Sequence, residues 1–284
     1  MTNFLRNGGP LREVLLVSAI PMPLEAEHAG SEPDPARHLM TALATGERPP
    51  FGAMPSARAY GISSAFVQTV FPWVRTPGSK ALPEQLEPPD GALVGILARN
   101  ALTRGTFRSV AGQQIGDIYD ISPALTGEAL DAQVSYRALP DDGPALTLSH
   151  SLTERATLFG RTPGGLTLLS DATASFQEAW RPAGVSRLVG AILRAARACG
   201  EETVFEPNGE RLWSQLRERL KTLLTQFLQE GALQGATPSE AFDVRCDGST
   251  MTQNDLDAGR LIVVATVFPA ASVERIVVTL NLQK

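Results

Sequence analysis

Cysteine is the scarcest residue in this sequence, with two, Cys199 and Cys246, among 284 residues. Two thiols make no disulfide framework, and the reading adopted is two reduced, buried thiols. Histidine is nearly as scarce, at three. His28 and His38 lie in a proline-rich stretch, where a lone histidine is ordinarily solvated. An excess of base is also missing: 25 Lys and Arg stand against 30 Asp and Glu, a net charge of −5, so nothing favours a nucleic-acid backbone. No apolar run approaches the roughly 20 residues that span a bilayer. The run 15–20 is too short, and Arg12 and Glu13 precede it, so no signal peptide is expected. Internal repeats and low-complexity tracts are absent too. The length allows a sizeable core and one or two domains.

Catalytic signatures are equally thin. Gly160-Arg161-Thr162-Pro163-Gly164-Gly165 is glycine-rich, but no Gly-Lys-Ser/Thr follows, which excludes the usual phosphate loop. His150 between Ser149 and Ser151 invites a hydrolase reading, yet no Gly-x-Ser-x-Gly elbow accompanies it. Asp243, Asp247, Asp255 and Asp257 lack the spacing of a calcium loop and read as capping or interface carboxylates. No catalytic residue, cofactor site or metal site is therefore expected.

What the sequence does hold is a patterned C-terminal third. A helix over 184–199 carries Val185, Leu188, Val189, Ile192, Leu193 and Ala196 on one face. A short strand at 203–205 follows, then Asn208 as an N-cap. The next helix has Leu212, Trp213, Leu216, Leu220, Leu223, Leu224, Phe227 and Leu228 in one stripe, and Gly231 ends it in the left-handed conformation. Strands are expected over 242–246, 261–268 and 275–282. The last alternates Ile276, Val278, Leu280 and Leu282 against Arg275, Val277, Thr279 and Asn281. Such a strand can edge its own sheet or complete a neighbour's, and the residues alone favour its own. Upstream, a strand is expected over 13–20 and an irregular, proline-punctuated excursion over 21–56, with one short helix at 36–45. A helix is expected over 57–70. Pro72 then forces extended backbone at Phe71. An apolar helix over 91–100 and strands over 115–121 and 132–139 follow.

Particular motifs in this frame belong together. Over 184–284 they are Glu206-Pro207-Asn208 with Trp213, Gly231-Ala232-Leu233, Phe242-x-Val244-x-Cys246-Asp247, and Gln253-x-Asp255-x-Asp257-x-Gly259-Arg260. Over 57–112 they are VFPWV, EPPDGALVGILARNALTRG and SVAG. Over 158–183 they are LFGRTPGG and Trp180, with Arg187 placed just beyond as the pattern asks.

Together these motifs resemble the contractile phage tail sheath protein family, including sheath-like subunits of phage-derived contractile injection systems, with Asn100 where the family carries aspartate. The resemblance implies an α+β fold: a compact C-terminal helix-on-sheet domain joined to a shortened α/β core. The expected divisions are 1–56, a shortened N-terminal segment with one core strand; 57–183, the central core; and 184–284, the sheath C-terminal domain. It implies a non-enzymatic subunit without cofactor, made in the bacterial cytoplasm and packed in hexameric rings around an inner tube, with subunit packing that changes on contraction. Partners would be other sheath subunits, the tube, and baseplate and terminator proteins, with no nucleic acid and no membrane insertion. It also reverses the reading of the last strand, making Arg275, Ile276, Val278, Leu280 and Leu282 an exchanged subunit interface. The family's N-terminal arm and first core strands have no counterpart here, so poor assembly of this chain alone is expected. The alternatives are a non-contracting cap or baseplate-collar paralogue and, more distantly, a hydrolase.

Overall fold

The computed structural model describes residues 15–20, 65–125, 130, 133–138, 146–175, 177–203 and 206–270, with backbone only over 134–138 and 146–148. Helices and strands are mixed, as an α+β chain requires. The chain divides into two compact units at Ser186 and Arg187, the second running to Ala271.

The first unit is built on β2 (Val67–Phe71). It lies inside a four-stranded sheet of order β1-β2-β7-β8, with β1 at Leu16–Ala19, β7 at Thr157–Thr162 and β8 at Gly165–Leu168. β1 and β7 flank β2 in parallel, and β8 returns antiparallel to β7. All five β2 residues are buried. Val70 joins Val74, Leu93, Phe159 and Leu168 on one face, whereas Phe71 joins Ile20, Leu152 and Leu158 on the other. The expected helix over 57–70 is overturned in its described part, because Val67 onward is strand. A strand covered on both faces loses its alternation, so V-Q-T-V-F carries no period-two signal.

The chain stays extended past Phe71, as Pro72 demands, into β3 (Trp73–Arg75). β3 pairs antiparallel with β4 (Asp120–Ser122), and Trp73 Nε1 donates to the Ile20 carbonyl at 2.9 Å. The apolar helix appears as α1 (Asp90–Thr103). Asn100 is buried in it: its amide nitrogen donates to the carbonyls of Gly105 (3.2 Å) and Arg108 (2.9 Å), and its oxygen accepts from Gln113 (2.9 Å). An aspartate could not donate these bonds. β5 (Val134–Ala138) pairs antiparallel with β6 (Leu146–His150). The glycine-rich run turns out to be the β7–β8 hairpin. A Cβ on Gly160 would lie 2.2 Å from the Leu169 side chain, and Gly165 has φ +116°, so glycine is required at both for steric reasons.

The second unit takes over within α2 (Ala183–Glu201) and continues with α3 (Glu210–Gln229), α4 (Pro238–Ala241), β9 (Phe242–Arg245), α5 (Gln253–Asp257) and β10 (Val264–Val267). Leu212, Leu216, Leu220 and Leu224 form the buried stripe of α3, and Leu188 of α2 is buried as well. α3 packs on β9, whose residues alternate: Phe242 and Val244 are buried, Asp243 and Arg245 exposed. Gly231, at φ +75°, closes α3 in a Schellman arrangement, with Ala232 N–H on the Phe227 carbonyl and Gly231 N–H on that of Leu228, both 2.9 Å. Asn208 is not the cap. Gly209 takes that place with no side-chain bond, and Asn208 is committed elsewhere, as described below. Val204 and Phe205 of the expected short strand, and all of 275–282, lie outside the described residues.

Candidate assembly surface

In the second unit, α2 and α3 converge on the segment leading into β10. Between them lies an apolar cleft of about 380 Å³, lined by Val189, Ile192 and Leu193 from α2, Leu223 from α3, and Val264 and Val267 from β10. The outer part of the lining is open to solvent: Leu193 is 36% exposed and Val264 47%, and Phe268 just beyond is 52% exposed. β10 is bonded to β9 on one side, from Val264 opposite Arg245 to Val267 opposite Phe242. Among the described residues no strand takes its other side. Residues 261–268 contain no charge and no proline, the usual devices that discourage pairing at an edge.

Two motifs singled out in the sequence meet at the entry to this strand. Asn208 Oδ1 accepts from Trp213 Nε1 at 2.7 Å, and Asn208 Nδ2 donates to the Arg260 carbonyl at 3.4 Å. The Arg260 guanidinium pairs with Asp255 at 3.1 Å. Asp255 in turn accepts from the hydroxyl and N–H of Thr252 in a capping box that starts α5; these bonds hold its carboxyl below the usual range. Thr250 Oγ1 donates to the Ile262 carbonyl at 2.9 Å. The chain entering β10 is therefore tied to the head of α3 and to α5.

The four aspartates each have a local partner. Asp243 accepts from Arg245 at 2.7 Å, and Asp257 from Gln253 at 2.8 Å. Asp247 accepts from the Ser249 hydroxyl and N–H, which lower its pKa, and Asp255 serves α5. Among the described residues, no three His, Cys, Asp or Glu stand together as a metal site would need. Cys246 is buried, and burial pushes its thiol up, away from the reactive thiolate. No helix among the described residues is long and apolar enough to cross a membrane. The predicted interface residues Arg275, Ile276, Val278, Leu280 and Leu282 lie outside the described residues.

The first unit holds a polar cluster that no sequence motif signalled. Gln68 and Asp171 are both buried, and Gln68 Nε2 donates to Asp171 Oδ1 at 2.8 Å and to Thr157 Oγ1 at 2.7 Å. Asp171 Oδ2 accepts from the Val110 N–H at 3.1 Å. Arg155, wholly buried, donates to the Ala174 carbonyl at 2.7 Å. His150, the hydrolase candidate, places Nε2 at 3.2 Å from an Arg181 guanidinium nitrogen. Ser151 Oγ lies against Thr153 Oγ1 at 3.0 Å. A histidine serving as a general base needs its accepting nitrogen aimed at the nucleophile's proton, and here that nitrogen faces a permanent donor.

Comparison with solved structures reads this architecture directly. The chain matches one in the helical sheath of the anti-feeding prophage (AFP) in its contracted state, with TM-score 0.61 and 25% identity over 81% of this chain and 59% of that one. This is a contractile-sheath fold. It also matches a chain of the six-fold symmetrised AFP baseplate, with TM-score 0.66 and 24% identity over 82% of this chain and 58% of that one. A third match is to the PVC sheath complex of an extracellular contractile injection system, contracted state, with TM-score 0.63 and 23% identity over 77% and 56%. The sheath resemblance carried by the motifs thus holds in three dimensions. The chain spans less than two thirds of the length of each of these proteins. No family model and no curated protein matches the sequence.

Proposed function

We propose that this chain is a structural subunit of the contractile sheath of a phage tail or phage-tail-like injection particle. The observation that carries the reading is the uncharged edge of β10, which no strand among the described residues takes, beside an apolar cleft in a chain with the sheath fold. The occupant is the last strand of a second copy. Its backbone extends the β9–β10 sheet past β10, and its Ile276, Val278, Leu280 and Leu282 row covers the cleft, with Arg275 at the strand's start. Subunits joined in this way form hexameric rings around an inner tube, bounded by baseplate and terminator proteins. Contraction draws its energy from the difference between two subunit packings, without catalysis or cofactor. The protein is made in the bacterial cytoplasm and assembles there into the particle. The match to a baseplate chain favours, as a second reading, a cap or collar subunit that does not contract.

Negative-stain microscopy of the protein co-expressed with an inner tube protein tests this. Sleeves along the tube are expected. Single rings at tube ends that never lengthen would support the cap. A monodisperse monomer under every polymerising condition would remove both.

A further inference from the structure

Helix α2 starts from a stretch held by backbone and hydroxyl bonds. Thr173 N–H donates to the Arg181 carbonyl (2.7 Å), Thr173 Oγ1 to that of Trp180 (2.7 Å), and Ala183 N–H to that of Asp171 (3.0 Å). The Arg181 side chain then reaches across to the turn that follows β6. One guanidinium nitrogen donates to Glu154 Oε1 at 3.1 Å, the other faces His150 Nε2 at 3.2 Å, and Glu154 Oε2 accepts the Ser151 N–H at 2.8 Å. His150 is 8% exposed.

Arginine has no acceptor and does not deprotonate, so the 3.2 Å contact requires His150 Nε2 to be the acceptor. The ring is then neutral, with its proton on Nδ1. Among the described residues, the charged groups facing it are Arg181 from the segment before α2, and Arg155 and Glu154 from the turn after β6. Protonation turns Nε2 into a donor against a donor and places a third cation beside Arg181 and Arg155.

We propose that His150 is an acid-sensitive latch on the start of α2: neutral, it holds Arg181 in place, and protonated, it expels it and loosens 173–183. Burial and the two arginines act in the same direction on the ring and hold its pKa below the ordinary histidine value, against Glu154. The sign follows by linkage. The unfolded chain takes the proton first, so the latch's stabilisation is complete above the ordinary histidine pKa. It is lost as pH falls from there toward the lowered folded value.

Hydrogen exchange of the full-length protein at pH 7.5 and 5.5, corrected for intrinsic rates, tests the latch. Peptides covering 173–183 should open several-fold more at the lower pH, because the opened chain takes up the proton that the closed one resists. In His150→Gln, whose amide oxygen accepts from Arg181 at any pH, the corrected rates should be equal at both. Arg181→Met, which removes the repelled partner, should also flatten the dependence. The wild-type protein gives a readout that needs no variant: its imidazole nitrogen spectrum at neutral pH should show the Nδ1–H form. An Nε2–H form, or an unchanged pH dependence in either variant, would overturn the proposal.

Discussion

The chain uses nearly the same six residues twice. Val67-Gln-Thr-Val-Phe-Pro72 and Val264-Ala-Thr-Val-Phe-Pro269 differ at one position, Gln68 against Ala265. The first is the core of its unit, paired on both sides and wholly buried, with Phe71 at 0% exposure. The second is paired on one side among the described residues, and its Phe268 is 52% exposed. Strand-forming chemistry is common to both, so the residues do not decide the difference. Supply of neighbours does: β2 receives β1 and β7 from its own unit, while among the described residues β10 receives β9 alone. An uncharged strand left in that state is a site for another strand, and that contrast underlies the assembly reading.

The contrast is sharpest in the paired phenylalanines. Phe71→Ala empties a closed core and should cost about 3–5 kcal/mol, read as a fall in denaturant midpoint or failure to fold. Leu216→Ala, in the buried stripe of α3, should cost about 2–5 kcal/mol, showing that the second unit has a core of its own despite its open edge. A smaller effect is expected at Asp120, which bridges Arg75 and Arg161. Burial pushes its carboxyl up, but the Ile121 N–H and the two arginines outweigh it and hold it below its ordinary value. The stabilisation is present above the unfolded carboxylate pKa and lost as pH falls through the folded one. Asp120→Asn should therefore narrow the gap in melting temperature between pH 7 and pH 3. The smallest effect on folding belongs to Phe268→Ala, within about 0.5 kcal/mol of the parent, measured beside sedimentation, where it should weaken association. A Phe268→Ala protein as destabilised as Phe71→Ala would erase the comparison.

The helices were legible in the sequence because a one-sided helix announces its period. Leu188, Leu212, Leu216, Leu220 and Leu224 are buried as their spacing requires, and Gly231 closes α3 where its missing side chain allows. β2 was misread as helix because burial on both faces removes the alternation that marks a strand. Asn208 looked like a cap because its residue type suits one; the bond it makes, to Trp213 five residues on, has no local signature. The latch is assembled from His150, Glu154 and Arg181, and only folding brings the last to the first two. Sequence patterning shows which side chains turn inward, but not which polar side chains meet there.

Removal of residues 275–284, with thermal melting and sedimentation measured on the same truncated protein, tests the proposed completion of β10 by a strand from another copy. A cooperative transition near the parent temperature together with loss of association is expected. Normal assembly by the truncated protein would contradict it, as would loss of the transition itself, which would make the segment part of its own subunit's core.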